Sequence, residues 1–168
     1  MNVAAGKDCS AAVVTVVAET GRRLPEGADP DAWLAATLAE VGAEPAALGL
    51  RLASREESRR LNRDYRGQDR PTNVLAFPAP ALPGLPREAP GALGDLIVCM
   101  PVLEAEAREQ GKPVLAHCAH LFVHGLLHLL GQRHERPAEA EAMEQLESRI
   151  LRRLGFPDPW ASERSVRR

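Results

Sequence analysis

The five histidines of this 168-residue chain all lie within one short segment, HCAHLFVHGLLHLLGQRH, at positions 117–134. Neutral imidazole is a common protein ligand for transition metals. The apolar run over residues 114–130 predicts a helix, on which His117, His120, His124 and His128 lie within about 80° of one another. One helix face therefore carries four imidazoles, which indicates a metal site.

Spacing narrows the predicted ligand set to three. Two pairs, His120/His124 and His124/His128, have the i,i+4 spacing that lets two rings reach one metal ion. Gly131 favours the second pair, because a glycine here is typical of a helix C-cap and a turn would bring His134 beside the last helical turn. We predict His124, His128 and His134 as nitrogen ligands with a fourth position left for water, which is the pattern of catalytic zinc.

His117 and His120 are set apart from this triad. A single helical histidine is most often a packed or surface residue, and these two lie further from the predicted helix end. Packing, support of a metal ligand and substrate contact are all open to them.

A zinc peptidase is the first competing interpretation. Such enzymes commonly carry H-E-x-x-H, in which the glutamate is the general base. Here Gly125 stands in the position of that glutamate, so the peptidase mechanism lacks its base.

A second group of residues with possible chemistry is the segment REESRRLNRDYRGQDR at 55–70, which holds six arginines and four acidic residues. Charge-rich helices are often only solvated, but the planar arginine fork also suits phosphate oxygens. Gly67 is expected to end a helix, which places Arg66, Asp69 and Arg70 in a loop, where functional residues are commonly carried. If the substrate is a phosphodiester, Arg66 would stabilise the charge that develops on its oxygens.

Composition limits the class of protein. The chain is 45% hydrophobic with a formal charge of −2, which predicts one globular domain over residues 1–160 with no overall basic excess. No stretch approaches the roughly 20 apolar residues of a membrane span, and the first residues lack the pattern of a signal peptide, so we expect a cytoplasmic protein. Cys9, Cys99 and Cys118 have neither a disulfide nor a zinc-finger spacing.

Alternating strands and helices predict an α+β fold, with a mixed sheet of about four strands packed against helices and the histidine helix at its centre. The apolar run at 11–18 predicts a buried strand, Asp29 and Pro30 a helix start, and Ser54 with Glu57 a capping box. A proline-rich loop is expected at 78–92 and a flexible tail at 161–168. The other predicted strands are 48–52, 74–77 and 93–100, and the other helices are 55–66, 101–111 and 138–154.

Three segments together resemble the bacterial YbeY endoribonuclease family: LNRDYRGQDRPTNVLAFP at 61–78, LGD at 93–95 and HGLLHLLGQRH at 124–134. The family pattern H-G-x-L-H-L-x-G-Y-D-H is matched at every fixed position but two. The resemblance spans roughly residues 48–160, most of the chain.

The resemblance implies a compact α+β fold likened to that of zinc peptidases, one zinc ion, and cleavage of single-stranded RNA. It also implies maturation of the 3′ end of small-subunit (16S) ribosomal RNA, ribosome quality control, and the small ribosomal subunit with its proteins as partners. By position, His124, His128 and His134 match the zinc ligands, and Arg66 matches the functional arginine. An exposed single-stranded phosphodiester reaches a recessed metal more easily than one in a duplex.

The chain departs from the family pattern at two places. Gln132 and Arg133 replace the usual tyrosine and aspartate, and Ala76 replaces a serine. Arg133 either weakens metal binding by repulsion or contacts the phosphate of the substrate.

Several alternatives stay open. Asp69, Asp95 and His120 are candidates for a general base that the residues do not rank. A ribosome-assembly protein that binds RNA without cutting it, around a structural metal, is the second hypothesis, and a metal hydrolase of another substrate is the third.

Overall fold

The secondary-structure elements follow the predicted order along the chain. The computed structural model describes residues 12–18, 21–79 and 91–167, so Cys9 and residues 80–90 of the predicted loop lie outside the described residues. The strands are β1 (Val13–Ala18), β2 (Ala47–Ala53), β3 (Val74–Pro78) and β4 (Ala92–Cys99). The helices are α1 (Pro30–Val41), α2 (Arg55–Arg66), α3 (Met100–Glu109), α4 (Val114–Leu129), α5 (Pro137–Arg153) and α6 (Ala161–Val166).

The four strands form one mixed sheet in the order β1-β2-β4-β3. β2 pairs in parallel with β1 and with β4, whereas β3 pairs antiparallel with β4. Successive side chains of a strand point to opposite faces, and each face has its own apolar cluster. Leu50 and Leu96 face the helices α1 and α4, while Leu75 and Ile97 face α2. The predicted α+β class, with a four-stranded mixed sheet, is confirmed.

Helix α4 lies at the centre of the fold, as the sequence predicts. It packs against α1, α3, α5 and two strands of the sheet, and Phe122 and Leu126 on it are fully buried. Trp33 of α1 meets Phe122 edge to face at 5.4 Å between ring centroids. Despite this apolar character, no helix within the described part of the chain is long and apolar enough to cross a membrane.

Gly125 allows α4 to approach the sheet closely. A Cβ atom added at this position would lie 2.8 Å from Leu96 Cδ2 and 3.3 Å from Val74 Cγ2. Both neighbours are buried in the core, where atoms cannot move far. The glutamate of an H-E-x-x-H peptidase would therefore point at the sheet in this chain.

Strand β1 forms as predicted, but the expectation that it is buried is wrong. Val13, Val16 and Val17 are exposed at 49%, 44% and 53%. The reason is its place in the sheet, because among the described strands β1 lies at the edge and pairs with β2 alone. A continuous apolar run does not reveal whether a strand is central or at an edge.

Of the two hydrogen bonds in the capping box predicted at the start of α2, the structure contains one. Ser54 Oγ accepts a hydrogen bond from the backbone N–H of Glu57 at 3.1 Å. The Glu57 carboxylate pairs instead with Arg51 of β2, since an ion pair with a neighbouring strand competes with the local contact.

Part of the segment 161–168, predicted as a flexible tail, is helical in the structure. Residues Ala161–Val166 form α6, and Arg164 donates hydrogen bonds to Asp158 and Ser148 at 2.8 and 2.9 Å. The hydrogen bond to Ser148 connects the segment to α5, a contact that the sequence of the tail alone does not show.

We expect Gly125→Ala to lower the free energy of unfolding, by up to about 2 kcal/mol. Overpacking a core costs about 1–3 kcal/mol, and the higher helix propensity of alanine offsets about 1 kcal/mol of that. Urea unfolding measures the change. If the variant were instead about 1 kcal/mol more stable than the parent protein, the full gain in helix propensity, the helix and the sheet would not be in close contact here.

Candidate metal centre

Helix α4 brings two of the predicted ligands face to face. His124 and His128 are one helical turn apart, and their Nε2 atoms lie 3.0 Å from each other. Their ring centroids are 4.6 Å apart. Both rings lie at the boundary of the core, neither buried nor fully exposed, so a ligand from outside can reach them.

The turn after α4 brings in the third histidine. Gly131 has a φ of +88°, its N–H donates to the His128 carbonyl at 3.0 Å, and the Gln132 N–H donates to the Leu127 carbonyl at 2.9 Å. This pair of bonds is the Schellman motif that ends many helices at a left-handed glycine. The chain turns back, and the His134 ring lies 4.8 Å from that of His128.

The three predicted histidines therefore converge on one point. One ring nitrogen from each of His124, His128 and His134 lies within 4.8 Å of the other two, close enough for a metal ion to be bound between them. That they do bind a metal stays a prediction.

The environment keeps His128 neutral, as a ligand must be. Burial lowers the pKa of His128, and the neighbouring rings of His124 and His134 lower it further, to about 4. A hydrogen bond to the Gln132 backbone opposes the shift without cancelling it, and the nearby Arg66 adds to it. A lone pair on this ring is therefore free at neutral pH.

Glu147 of α5 is a residue of the site that the sequence interpretation missed. Its carboxylate is 1% exposed and accepts a hydrogen bond from His124 Nδ1 at 2.6 Å. Burial alone would raise the pKa of Glu147, but hydrogen bonds from His120 and His124 outweigh it and hold the pKa at about 2. A signal was present, because Met143, Glu147, Ile150 and Leu151 follow helical spacing and put an acid on an apolar stripe.

Arg66, the predicted phosphate-binding residue, lies in the wall of the same cavity. This cavity has a volume of about 310 Å³ and also contains the three converging histidines. Arg66 is the last residue of α2, which ends at Gly67 in a left-handed conformation. Its guanidinium is exposed and close enough to lower the pKa of His128. The Arg66 cation and the candidate metal centre thus line the same cavity.

Comparison with known proteins is decisive on the family. The family model described as Endoribonuclease YbeY matches residues 30–155. The chain belongs to this family. The match runs from α1 to the turn after α5 and so includes the triad, Arg66 and Glu147.

Individual relatives agree with the family model. Proteins named Endoribonuclease YbeY from Halorhodospira halophila and Alkalilimnicola ehrlichii are 54% and 58% identical, over 83% and 82% of this chain and 90% and 82% of their own. One from Stenotrophomonas maltophilia is 52% identical over 84% of this chain and 88% of its own. The solution structure of TM1509 from Thermotoga maritima, 25% identical, aligns with a TM-score of 0.50 over 91% of this chain and 93% of that one.

Of the three candidate bases, His120 alone lines the cavity. Asp69 is turned to Arg59, with two hydrogen bonds of 2.8 and 2.9 Å that lower its pKa. Asp95 shares the α2 face of the sheet with Ile97 and lies over Gly49; burial raises its pKa. The sheet thus separates Asp95 from the triad, which the spacing along the chain could not reveal.

The two departures from the family pattern of the YbeY proteins differ in position. Arg133 is exposed and is not one of the residues that line the cavity. Ala76 does line the cavity. The missing serine hydroxyl therefore changes the wall of the site itself.

His117 belongs to a separate polar cluster. Its Nε2 lies 2.9 Å from Glu106 of α3, and the same carboxylate accepts hydrogen bonds from Asn73 at 3.0 and 3.2 Å. This pairing supports the packing role that was one of the options left open for His117, and it keeps that ring out of the triad.

Gly131→Ala should weaken both the fold and the convergence of the histidines. An alanine in the left-handed region costs about 1–2 kcal/mol, and relaxing that strain would move His134 away from α4. We expect a lower free energy of unfolding in urea and weaker metal binding by titration. Asparagine tolerates this conformation better than alanine, so Gly131→Asn should lose less stability and less metal affinity. Equal losses in the two variants would contradict the role of backbone strain at this position.

Proposed function

We propose that this chain is a zinc-dependent endoribonuclease that cleaves single-stranded RNA. The observation that carries the proposal is the convergence of His124, His128 and His134 on a cavity that has Arg66 in its wall. The family to which the chain belongs, and the name of its relatives, support RNA as the substrate.

The residues present fit a zinc ion. Two nitrogens bound tetrahedrally to zinc at about 2.0–2.1 Å are about 3.3 Å apart, close to the 3.0 Å between the Nε2 atoms of His124 and His128. His124 donates from Nδ1 to Glu147, so in its neutral form its Nε2 carries the lone pair. Three histidines without cysteine are typical of catalytic rather than structural zinc.

The roles of the groups follow from their positions. Zinc in such a site acts as a Lewis acid toward water and phosphoryl oxygens. Arg66 presents a permanent cation and several N–H donors to the cavity, where they bind the phosphate and stabilise the charge that grows on it. A backbone that enters a cavity of about 310 Å³ must be free of a duplex, which favours a single strand.

The resemblance to YbeY proteins supports a narrower substrate. We extend the proposal to ribosomal RNA, with trimming at the 3′ end of the small-subunit RNA and quality control of ribosomes in the cytoplasm. The small subunit and its proteins are then the partners that present the single strand.

Substitution of the triad and of Arg66 should impair cleavage in different ways. His134→Ala should lose both zinc and cleavage, whereas Arg66→Glu should keep zinc and cut about 10²–10³-fold more slowly, since it loses a donor to the transition state. Single-stranded, duplex and 3′-extended ribosomal RNA are the substrates, with metal content measured in parallel. Arg153→Glu makes the same charge change on α5, where Arg153 pairs with Glu40, and should behave like the parent protein.

The outcomes separate the alternatives. Intact single strands with tight RNA binding would favour an assembly protein over a nuclease. Neither cleavage nor binding of RNA would favour a hydrolase of another substrate. Cleavage that survives in His134→Ala would point to a contaminating nuclease.

Zinc should also stabilise the folded protein. At a free zinc concentration of 100 times Kd, binding adds about 2.7 kcal/mol to the free energy of unfolding. Thermal unfolding with and without a chelator measures this effect. His134→Ala should show no such shift, whereas His117→Gln, outside the triad, should shift like the parent protein; a shift retained in His134→Ala would reject the ligand set.

A further inference from the structure

One buried carboxylate receives three N–H donors from two parts of the chain. Glu147 Oε1 accepts from His124 Nδ1 at 2.6 Å, and Oε2 accepts from His120 Nε2 at 2.9 Å and from Trp160 Nε1 at 2.8 Å. The two histidines belong to α4, and Trp160 precedes α6. Both oxygens are therefore engaged, and the carboxylate cannot rotate without breaking a bond.

We propose that Glu147 is the positioning residue of the metal centre and that Trp160 acts on metal affinity through it. This inference rests on the proposed function, because it assumes that His124 binds zinc.

The first step of the argument is the tautomer of His124. A neutral imidazole carries its proton on one nitrogen only, and a carboxylate that accepts from Nδ1 leaves the lone pair on Nε2. That Nε2 is the atom facing His128 Nε2. A carboxylate behind a histidine ligand also makes the ring a stronger donor to the metal.

The second step is that this support is given to one ligand. Among the residues that the structure describes, no carboxylate contacts His128 or His134. His124 is thus the ligand that a carboxylate orients, whereas His128 has a hydrogen bond to the Gln132 backbone. The loss of Glu147 therefore affects the centre through the His124 ring.

The third step concerns Trp160. Its indole lies in the cavity wall, and its ring meets that of His120 edge to face at 5.4 Å between centroids. The segment around it is anchored, because Asp158 accepts a hydrogen bond from the Trp160 backbone N–H at 3.0 Å and another from Arg164. Trp160 thus holds Glu147 Oε2 from a chain segment outside both α4 and α5.

The experiment measures zinc affinity by competition with a chelator. Glu147→Gln keeps the shape of the side chain but replaces one accepting oxygen by an NH2 group, which only donates. We expect zinc binding about 10–100-fold weaker. Trp160→Phe keeps an aromatic ring and removes the N–H, so its zinc affinity should fall by about tenfold or less. Because Trp160 acts through Glu147, the double variant should bind zinc no more weakly than Glu147→Gln alone.

Glu106→Gln is the matched control. Glu106 also contacts a histidine of α4 at 2.9 Å, but that histidine is His117, so zinc affinity should stay that of the parent protein. Unfolding of every metal-free variant in urea shows which of them are folded. If Glu147→Gln fails to fold, Trp160→Phe, at a partly exposed position, still tests the inference.

The results separate this inference from the function. Parental zinc affinity in both Glu147→Gln and Trp160→Phe, or an equal loss in Glu106→Gln, would overturn the role of Glu147. Losses that simply add in the double variant would overturn the coupling of Trp160. A parent protein that binds no zinc would reject the metal site itself, and the inference with it.

Discussion

Helix α4 has to satisfy two opposite demands, and the rest of the structure depends on how it does so. Most of its surface is apolar and needs to be removed from water, yet the same helix carries four imidazoles that need polar partners. Gly125 lets the apolar side approach β3 and β4 closely. The polar side meets carboxylates of α3 and α5 and, toward its end, the open cavity. Every neighbouring element covers one side or the other.

The electrostatics of the site follow from this arrangement. A carboxylate as buried as Glu147 is unfavourable without partners, and its three N–H donors compensate for the water it has lost. The anion is placed behind His124, away from the cavity, whereas Arg66 faces the cavity from α2. A negatively charged substrate entering there meets the cation first, while the acid stays shielded by the rings that it supports.

Sequence reasoning was most successful where the information is local. The Asp29 cap of α1, the helix end at Gly131 and the strand predicted at 48–52 depend on near neighbours, and all appear in the structure. Whether a strand lies at an edge depends on pairing between distant segments, so the exposure of β1 was not predictable.

The same distinction explains the residues of the site. The triad lies within eleven consecutive residues, and the geometry of α4 together with the turn at Gly131 brings it together. Glu147 and Trp160 approach the triad only through the packing of α5 on α4. Asp95 lies on the other face of the sheet from the triad. Neither position could be derived from spacing along the chain. Because the chain is synthesised from its N-terminal end, the histidines emerge before Glu147 and Trp160. During synthesis, the hydrogen-bonded set of His120, His124, Glu147 and Trp160 can therefore form only after residue 160 has been added.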